Sequence, residues 1–244
     1  MRWSIVLLAA GALCVEAEQG WSQEAAEWFT GNVAVASDYA FRGISQTGAE
    51  PAIQGGMDLV HPIGLYLGTW GSSVNFGEEL ASGARAQMEL DVYGGLRKSI
   101  PALADFDLGA VGYLYPGAAG SRNYNFVEFG LGASRTFGGV SGGASVKYSP
   151  DFFAASGTAI YYGAQLSVPI SFVTLSGSAG HQSIEDNAAF GTPDYADFGI
   201  GASVGWGGFN FSGKYLTTDL SKSECFDGST LCEPRFVLGV ARAL

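Results

Sequence analysis

The chain has 244 residues with 37 glycines, 13% aromatic and only 14% charged residues, and a formal net charge of −11. That balance excludes a nucleic-acid surface, because meeting phosphates takes clustered Lys and Arg. Low charge with abundant Gly, Tyr and Phe suits strands that face lipid on one side and small or polar groups on the other.

In chain order, Arg2, the apolar run over residues 5–15 and the triplet Val15-Glu16-Ala17 read as a signal peptide spanning residues 1–17. The apolar run falls short of the roughly 20 residues that span a bilayer. The chain is therefore read as exported. Any insertion has to be as a closed barrel, since an open sheet leaves unpaired backbone in lipid. Cys14 falls inside the leader, with Leu13 where a lipoprotein carries a small residue. Residues 18–30 form a lead-in, and 31–244 one barrel domain.

Twelve strand segments follow, near 31–42, 50–61, 64–76, 85–98, 105–116, 123–137, 139–149, 157–168, 171–182, 193–206, 208–219 and 234–243. The links after the second, sixth, eighth and tenth are minimal: His61-Pro62-Ile63, Phe137-Gly138-Gly139, Pro169-Ile170 and Trp206-Gly207-Gly208. The odd-numbered links are longer and polar, and the fourth, 99–104, is of middling length. This alternation predicts an all-β fold: a closed antiparallel transmembrane β-barrel of about 12 strands, with short periplasmic turns and longer external loops. The even count puts both termini on the periplasmic side of a bacterial outer membrane. The implied partners are outer-membrane lipids, the barrel-assembly machinery during insertion, and small solutes or ions.

Residue parity assigns faces. In the first segment Val33, Val35, Tyr39 and Phe41 oppose Asn32, Asp38 and Arg42. In the fourth, Met88, Leu90, Val92 and Leu96 oppose Glu89, Asp91 and Arg97; in the seventh, Val140, Ala144 and Val146 oppose Ser141, Ser145 and Lys147. In the tenth, Phe198, Ile200 and Val204 oppose Asp197 and Gly199. The third segment is ambiguous, with Tyr66 and Trp70 against Leu65 and Leu67. Aromatic residues at strand ends, among them Tyr113, Tyr115, Phe152, Tyr161, Tyr162, Trp206 and Phe209, fit interface girdles.

The inward faces collect Asp38, Arg42, Glu89, Asp91, Arg97, Glu128, Lys147, Asp197 and Lys214. Charges of both signs in one enclosure have to pair or stay hydrated. They describe either a water-filled pore whose fixed charges filter solutes or an internal salt-bridge plug. Eight strands leave an interior that side chains fill and sixteen leave an aqueous channel, so twelve fits a narrow pore. The expected function is a porin-like channel for passive diffusion of small solutes or ions. Mild cation selectivity is expected from acidic loops that include Glu78, Glu79, Asp151, Glu185, Asp186 and Asp219. Cys225 and Cys232, seven residues apart in an exported chain, read as a loop disulfide. No cofactor and no metal are expected.

Two other readings stand beside the pore. His181 and Ser183 share an apolar strand face, with Glu185 or Asp186 near enough to orient the imidazole, the pattern of an outer-membrane acyl hydrolase. A sealed structural barrel would instead present its loops, such as 148–157 and 220–233, as a binding surface.

The chain also resembles the TorF-type porin family, Gcw_chp. The resemblance is carried by Ser37-Asp38-Tyr39, Phe41-Arg42-Gly43, Ser45-Gln46-Thr47, Gly64-Leu65-Tyr66-Leu67-Gly68 and Trp70-Gly71-Ser72. It continues through Asp91-Val92-Tyr93-Gly94-Gly95, Tyr113-Leu114-Tyr115-Pro116-Gly117, Tyr148-Ser149-Pro150-Asp151-Phe152-Phe153 and the late cysteine pair. It implies an outer-membrane barrel with a channel role and supplies no catalytic or ligand residues. The chain departs from outer-membrane barrels in ending on Leu244 rather than on an aromatic residue.

Overall fold

In a computed structural model the described residues are 28–77 and 84–244. The segment read as a signal peptide, the expected lead-in as far as residue 27, and Glu78 and Glu79 lie outside them. Fourteen strands follow in order: β1 Phe29–Ala36, β2 Ala40–Phe41, β3 Ile44–Ser45, β4 Ala52–Val60, β5 Leu65–Ser73, β6 Met88–Ile100 and β7 Ala104–Leu114. Then come β8 Phe126–Phe137, β9 Val140–Ser149, β10 Ala159–Ile170, β11 Val173–Ile184, β12 Tyr195–Trp206, β13 Phe209–Thr218 and β14 Arg235–Ala243. Twelve of them form a closed antiparallel barrel, each paired with its neighbours and β1 sealed against β14. The other two, β2 and β3, make a separate hairpin.

Loop lengths alternate more cleanly than the sequence predicts. The middling fourth link is short: β6 runs to Ile100 and β7 begins at Ala104. The turn after β10 falls at Ser171 and Phe172, with Pro169 and Ile170 still in the strand. Each short turn lies at one end of the barrel and each long loop at the other. At the turn after β4, Gly64 has φ +97, its carbonyl accepts the Arg97 N–H at 2.9 Å, and a Cβ there would collide with the Arg97 carbonyl. Only glycine meets both demands.

The wall separates two solvents. Ile53, Met57, Leu67, Leu108, Ile200 and Leu238 all point outward and are exposed. An apolar band of this extent around a closed barrel is matched by the acyl chains of a bilayer. At the short-turn rim Lys98, Arg135 and Arg242 also point outward and are exposed, and Arg242 lies over the Phe209 ring at 5.1 Å. Phe172, Trp206 and Phe137 stand exposed beside them, the placement of an interfacial girdle. The ambiguous strand resolves: Leu65 and Leu67 of β5 face lipid, while Trp70 is buried inside. Several aromatics expected in a girdle are not there. Tyr113, Tyr115 and Phe152 are buried inside the external end, within a cluster that includes stacked pairs Tyr113–Phe126 and Tyr124–Phe153, both at 4.3 Å.

Inward tyrosines lie flat on glycine notches in the wall. A Cβ on Gly95 or Gly109 would come within 2.6 or 2.5 Å of the Tyr66 hydroxyl oxygen. Gly68 sits in the same way under Tyr93, and Gly180 under Tyr161. These glycines and tyrosines act as one structural device: a large ring folds against the wall instead of across the bore.

The first strand differs most from its prediction. The wall strand ends at Ala36, paired with Ala52 of β4, and residues 37–51 turn into the barrel. Tyr39, expected on the lipid side with Val33 and Val35, is fully buried in the interior. At the far end of the chain, the loop between β13 and β14 carries the Cys225–Cys232 disulfide, with Cα atoms 5.9 Å apart. Both cysteines are buried and cluster with Ile44 of β3 and Tyr195 of β12. The bond therefore reaches deeper than an ordering role in the last external loop: it packs on the inserted hairpin.

Two outcomes follow. Replacing the mid-strand, lipid-facing Ile200 by Arg should cost about 2–4 kcal/mol in a refolding titration, and Ser145→Arg, on the lumen side of β9, less than half of that. Equal costs would overturn the face assignment. The thiols of Cys225 and Cys232 should stay unlabelled by a maleimide in the folded, unreduced protein. Replacing both by Ser should lower unfolding free energy by no more than about 2–3 kcal/mol, because the closed loop is short.

Candidate solute pathway in the barrel lumen

The inserted hairpin and eight wall strands bring the interior charges together. The inserted hairpin is joined by Arg42 and Gly43, both at positive φ (48 and 80), as a two-residue I′ turn requires. The turn holds Arg42 at the hairpin tip. In the ring, β9 stands opposite β1, so β8, β10 and β11 form the far wall from the hairpin's root. Arg42 crosses to that wall. Its Nη2 donates to both Glu128 oxygens on β8 at 2.7 Å, and its Nη1 donates to Gln182 on β11. Its guanidinium lies 4.0 Å over the Tyr161 ring of β10 and 4.6 Å over Phe41. Gly43 fits just above Thr218 and Asp197, where a Cβ would meet the Thr218 methyl at 2.6 Å.

The root of the hairpin is held as firmly. Asp38 accepts from Ser45 and Thr47 hydroxyls, each at 2.7 Å, and from Arg235 Nη1 at 2.7 Å. Arg235 also donates to the Thr230 carbonyl at 3.1 Å and to that of Leu231, while the Ser45 N–H donates to Leu231 O at 2.9 Å. The hairpin is thus stitched to the disulfide-bearing loop.

Most of the remaining acids, Asp91 apart, share one solution. Tyr39 and Tyr115 donate to the two oxygens of Glu89 at 2.7 and 2.8 Å, and Tyr113 donates to Glu128 at 3.0 Å. Tyr161 donates to Asp197 at 3.0 Å, Tyr93 to Asp58 at 2.7 Å, and Tyr66 to Asp107 at 2.7 Å. Arg97 completes the last pair, its Nε donating to Asp107 at 2.8 Å, with its guanidinium 4.2 Å over Tyr66. A phenol satisfies a carboxylate without cancelling its charge.

All nine residues singled out in the sequence lie inside the barrel. Asp38, Arg42, Glu89, Asp91, Glu128 and Asp197 gather at the external end and are buried; Arg97, Lys147 and Lys214 are half-buried on the inward face. The sequence reading missed Asp58, Asp107 and Arg235, although strand parity places each inward. It also missed the tyrosine donors and Gln182. Solvent reaches the middle of the barrel, where inward-facing Gln165 and Ser178 are exposed. At the external end, wall and hairpin bury one another: Tyr39 is 0% exposed, Glu89 1% and Glu128 2%.

The hydrolase constellation is not assembled. His181 and Ser183 do share the outward face of β11, but Ser183 Oγ donates to Asp194 at 2.8 Å. The Thr158 N–H donates to Glu185 at 2.8 Å, which holds that carboxylate below its usual pKa, and Asp186 caps a short helix by accepting from Ala189 N at 2.9 Å. Both acids expected to orient the imidazole are engaged elsewhere. Among the described residues no group of three His, Cys, Asp or Glu could hold a metal ion.

Solved porins share this architecture. The NanC porin superposes with a TM-score of 0.60 at 10% identity, covering 88% of this chain and all 100% of its own. The KdgM porin gives a TM-score of 0.57 at 7% identity, over 88% of this chain and 98% of its own, and it has also been solved in complex with disordered oligogalacturonate. These likenesses establish the fold. Among curated proteins none matches the sequence. The model of a family described as bacterial proteins of unknown function, Gcw_chp, matches residues 22–243, and the chain belongs to that family, with the fold of an outer-membrane porin.

Proposed function

We propose that the protein is an outer-membrane channel for passive diffusion of small polar solutes and ions, with a mild preference for cations. The observation that carries this reading is the way the interior acids are satisfied. Eight acids face inward (Asp38, Asp58, Glu89, Asp91, Asp105, Asp107, Glu128 and Asp197) against five bases (Arg42, Arg97, Lys147, Lys214 and Arg235). Asp58, Glu89 and Asp197 are hydrogen-bonded by phenols rather than by cations. A phenol brings no opposing charge, so the negative charge these groups carry when ionised acts on a passing ion, and most strongly where low-dielectric walls focus it. External loops carry further acids, among them Asp151, Asp186 and Asp219.

The same charge balance argues about substrate. An anionic oligosaccharide, such as the oligogalacturonate solved with the KdgM porin, would meet repulsion here. Small cations and neutral polar solutes meet none.

The test is the reversal potential of single channels across a salt gradient, which reads the selectivity of the open pore whatever fraction of time it is open. The wild type should be mildly cation-selective at low salt, fading as ionic strength rises and the screening length falls below about 8–10 Å. Replacing Glu89 by Gln together with Asp91 by Asn should shift the reversal potential toward anions. An anion-selective wild type, or an unmoved potential in the double variant, would show that these acids do not line the conducting path.

A further inference from the structure

We infer that residues 37–51 are a retractable plug, latched shut by the insertion of Arg42 into the far wall; the inference rests on the channel reading above. The hairpin grows from the external ends of β1 and β4 and crosses the bore, so its tip contacts the strands opposite its root. Hairpin and wall seal one another at this level, whereas mid-barrel Gln165 and Ser178 meet solvent. A solute entering from outside meets the hairpin first.

The latch is asymmetric. The root is bound to the wall and the disulfide loop through Asp38, Arg235 and the Ser45–Leu231 backbone bond, while the charged contacts of the tip all pass through one side chain. The root therefore serves as a hinge and the tip as the part that lets go. The closed state is also incompletely satisfied: Arg42 Nε, Asp91 Oδ1 and Lys147 Nζ are sealed from solvent without a hydrogen-bond partner. Buried polar atoms left without a hydrogen bond lower the cost of leaving this arrangement for a hydrated one. Withdrawal of the tip would bring water to Arg42, Glu128, Asp91 and Lys147 together, so separating the ion pair is offset by rehydrating all four groups.

The experiment is single-channel recording in planar bilayers of the purified protein, with folding verified by heat-modifiable mobility. It compares the wild type with Arg42→Ala, Glu128→Gln and a variant in which residues 38–47 are replaced by a short Gly-Ser linker. The expected result is a wild type that is closed most of the time. The open fraction should rise about tenfold to a hundredfold in either point variant, given what loss of one partner of a buried pair does, and the linker variant should stay open. Arg42→Lys, which keeps the charge and loses the two-pronged grip, should fall between. If the wild type conducts continuously and the hairpin variants match it, the plug is refuted and the channel reading stands. If the folded linker variant passes no current, the channel reading itself fails and the plug with it.

Discussion

Carboxylates enclosed by a protein wall must be given hydrogen bonds or water, and here the donor is most often a tyrosine. Six phenols reach five carboxylates, from Tyr66–Asp107 on the periplasmic side of the barrel to Tyr115–Glu89 at its mouth. The choice has two physical effects. It avoids a matching number of buried cations, so acids outnumber bases on the inward faces. It also demands room for large rings, which the wall supplies for Tyr66, Tyr93 and Tyr161 by placing glycines beneath them. A lysine-rich solution would have needed neither the tyrosines nor the notches, and it would have reversed that balance.

Much of the architecture was legible because lipid outside and polar groups inside impose a period of two on every wall strand, and short turns mark one rim. Met88 and Glu89, or Ile200 and Asp197, sort themselves on that rule alone. The rule fails where a second structure has the same period. Residues 37–45 alternate as a wall strand would, so Tyr39 and Phe41 read as continuing the lipid face of Val33 and Val35. The break shows only in pairing: β1 and β4 part at Ala36 and Ala52, and the chain beyond pairs with itself. Ser37 and Asp38 were the local hint, two polar residues of low strand propensity at the point of departure.

The candidate site was legible residue by residue but not as an arrangement. Parity places Glu128 and Arg42 both inside, yet nothing in the sequence says that the bidentate partner of Arg42 lies 86 residues on. Asp58 was overlooked because it stands alone in its strand, but Asp105 and Asp107 of β7 have the same spacing as Glu89 and Asp91 and were as legible. For the hydrolase pattern, spacing was a poor guide: Ser183 found an acid eleven residues away in the next strand's approach, and that acid was Asp194.

The inserted hairpin has a consequence for how the barrel is made. It belongs to the first strand of the ring, and the ring is sealed by that strand meeting the last, Asn32 beside Ala243. Its tip, however, grips Glu128 and Gln182, the second of them 140 residues further along the chain. The first hairpin synthesised is therefore among the last to find its seat, because the wall it presses against does not exist until β11 has been laid down. Contacts of such separation are slow to form, since the closure entropy comes before the reward. Until then Arg42 and its neighbours stay in water, and the nascent barrel encloses a wide, wet and uncorked space.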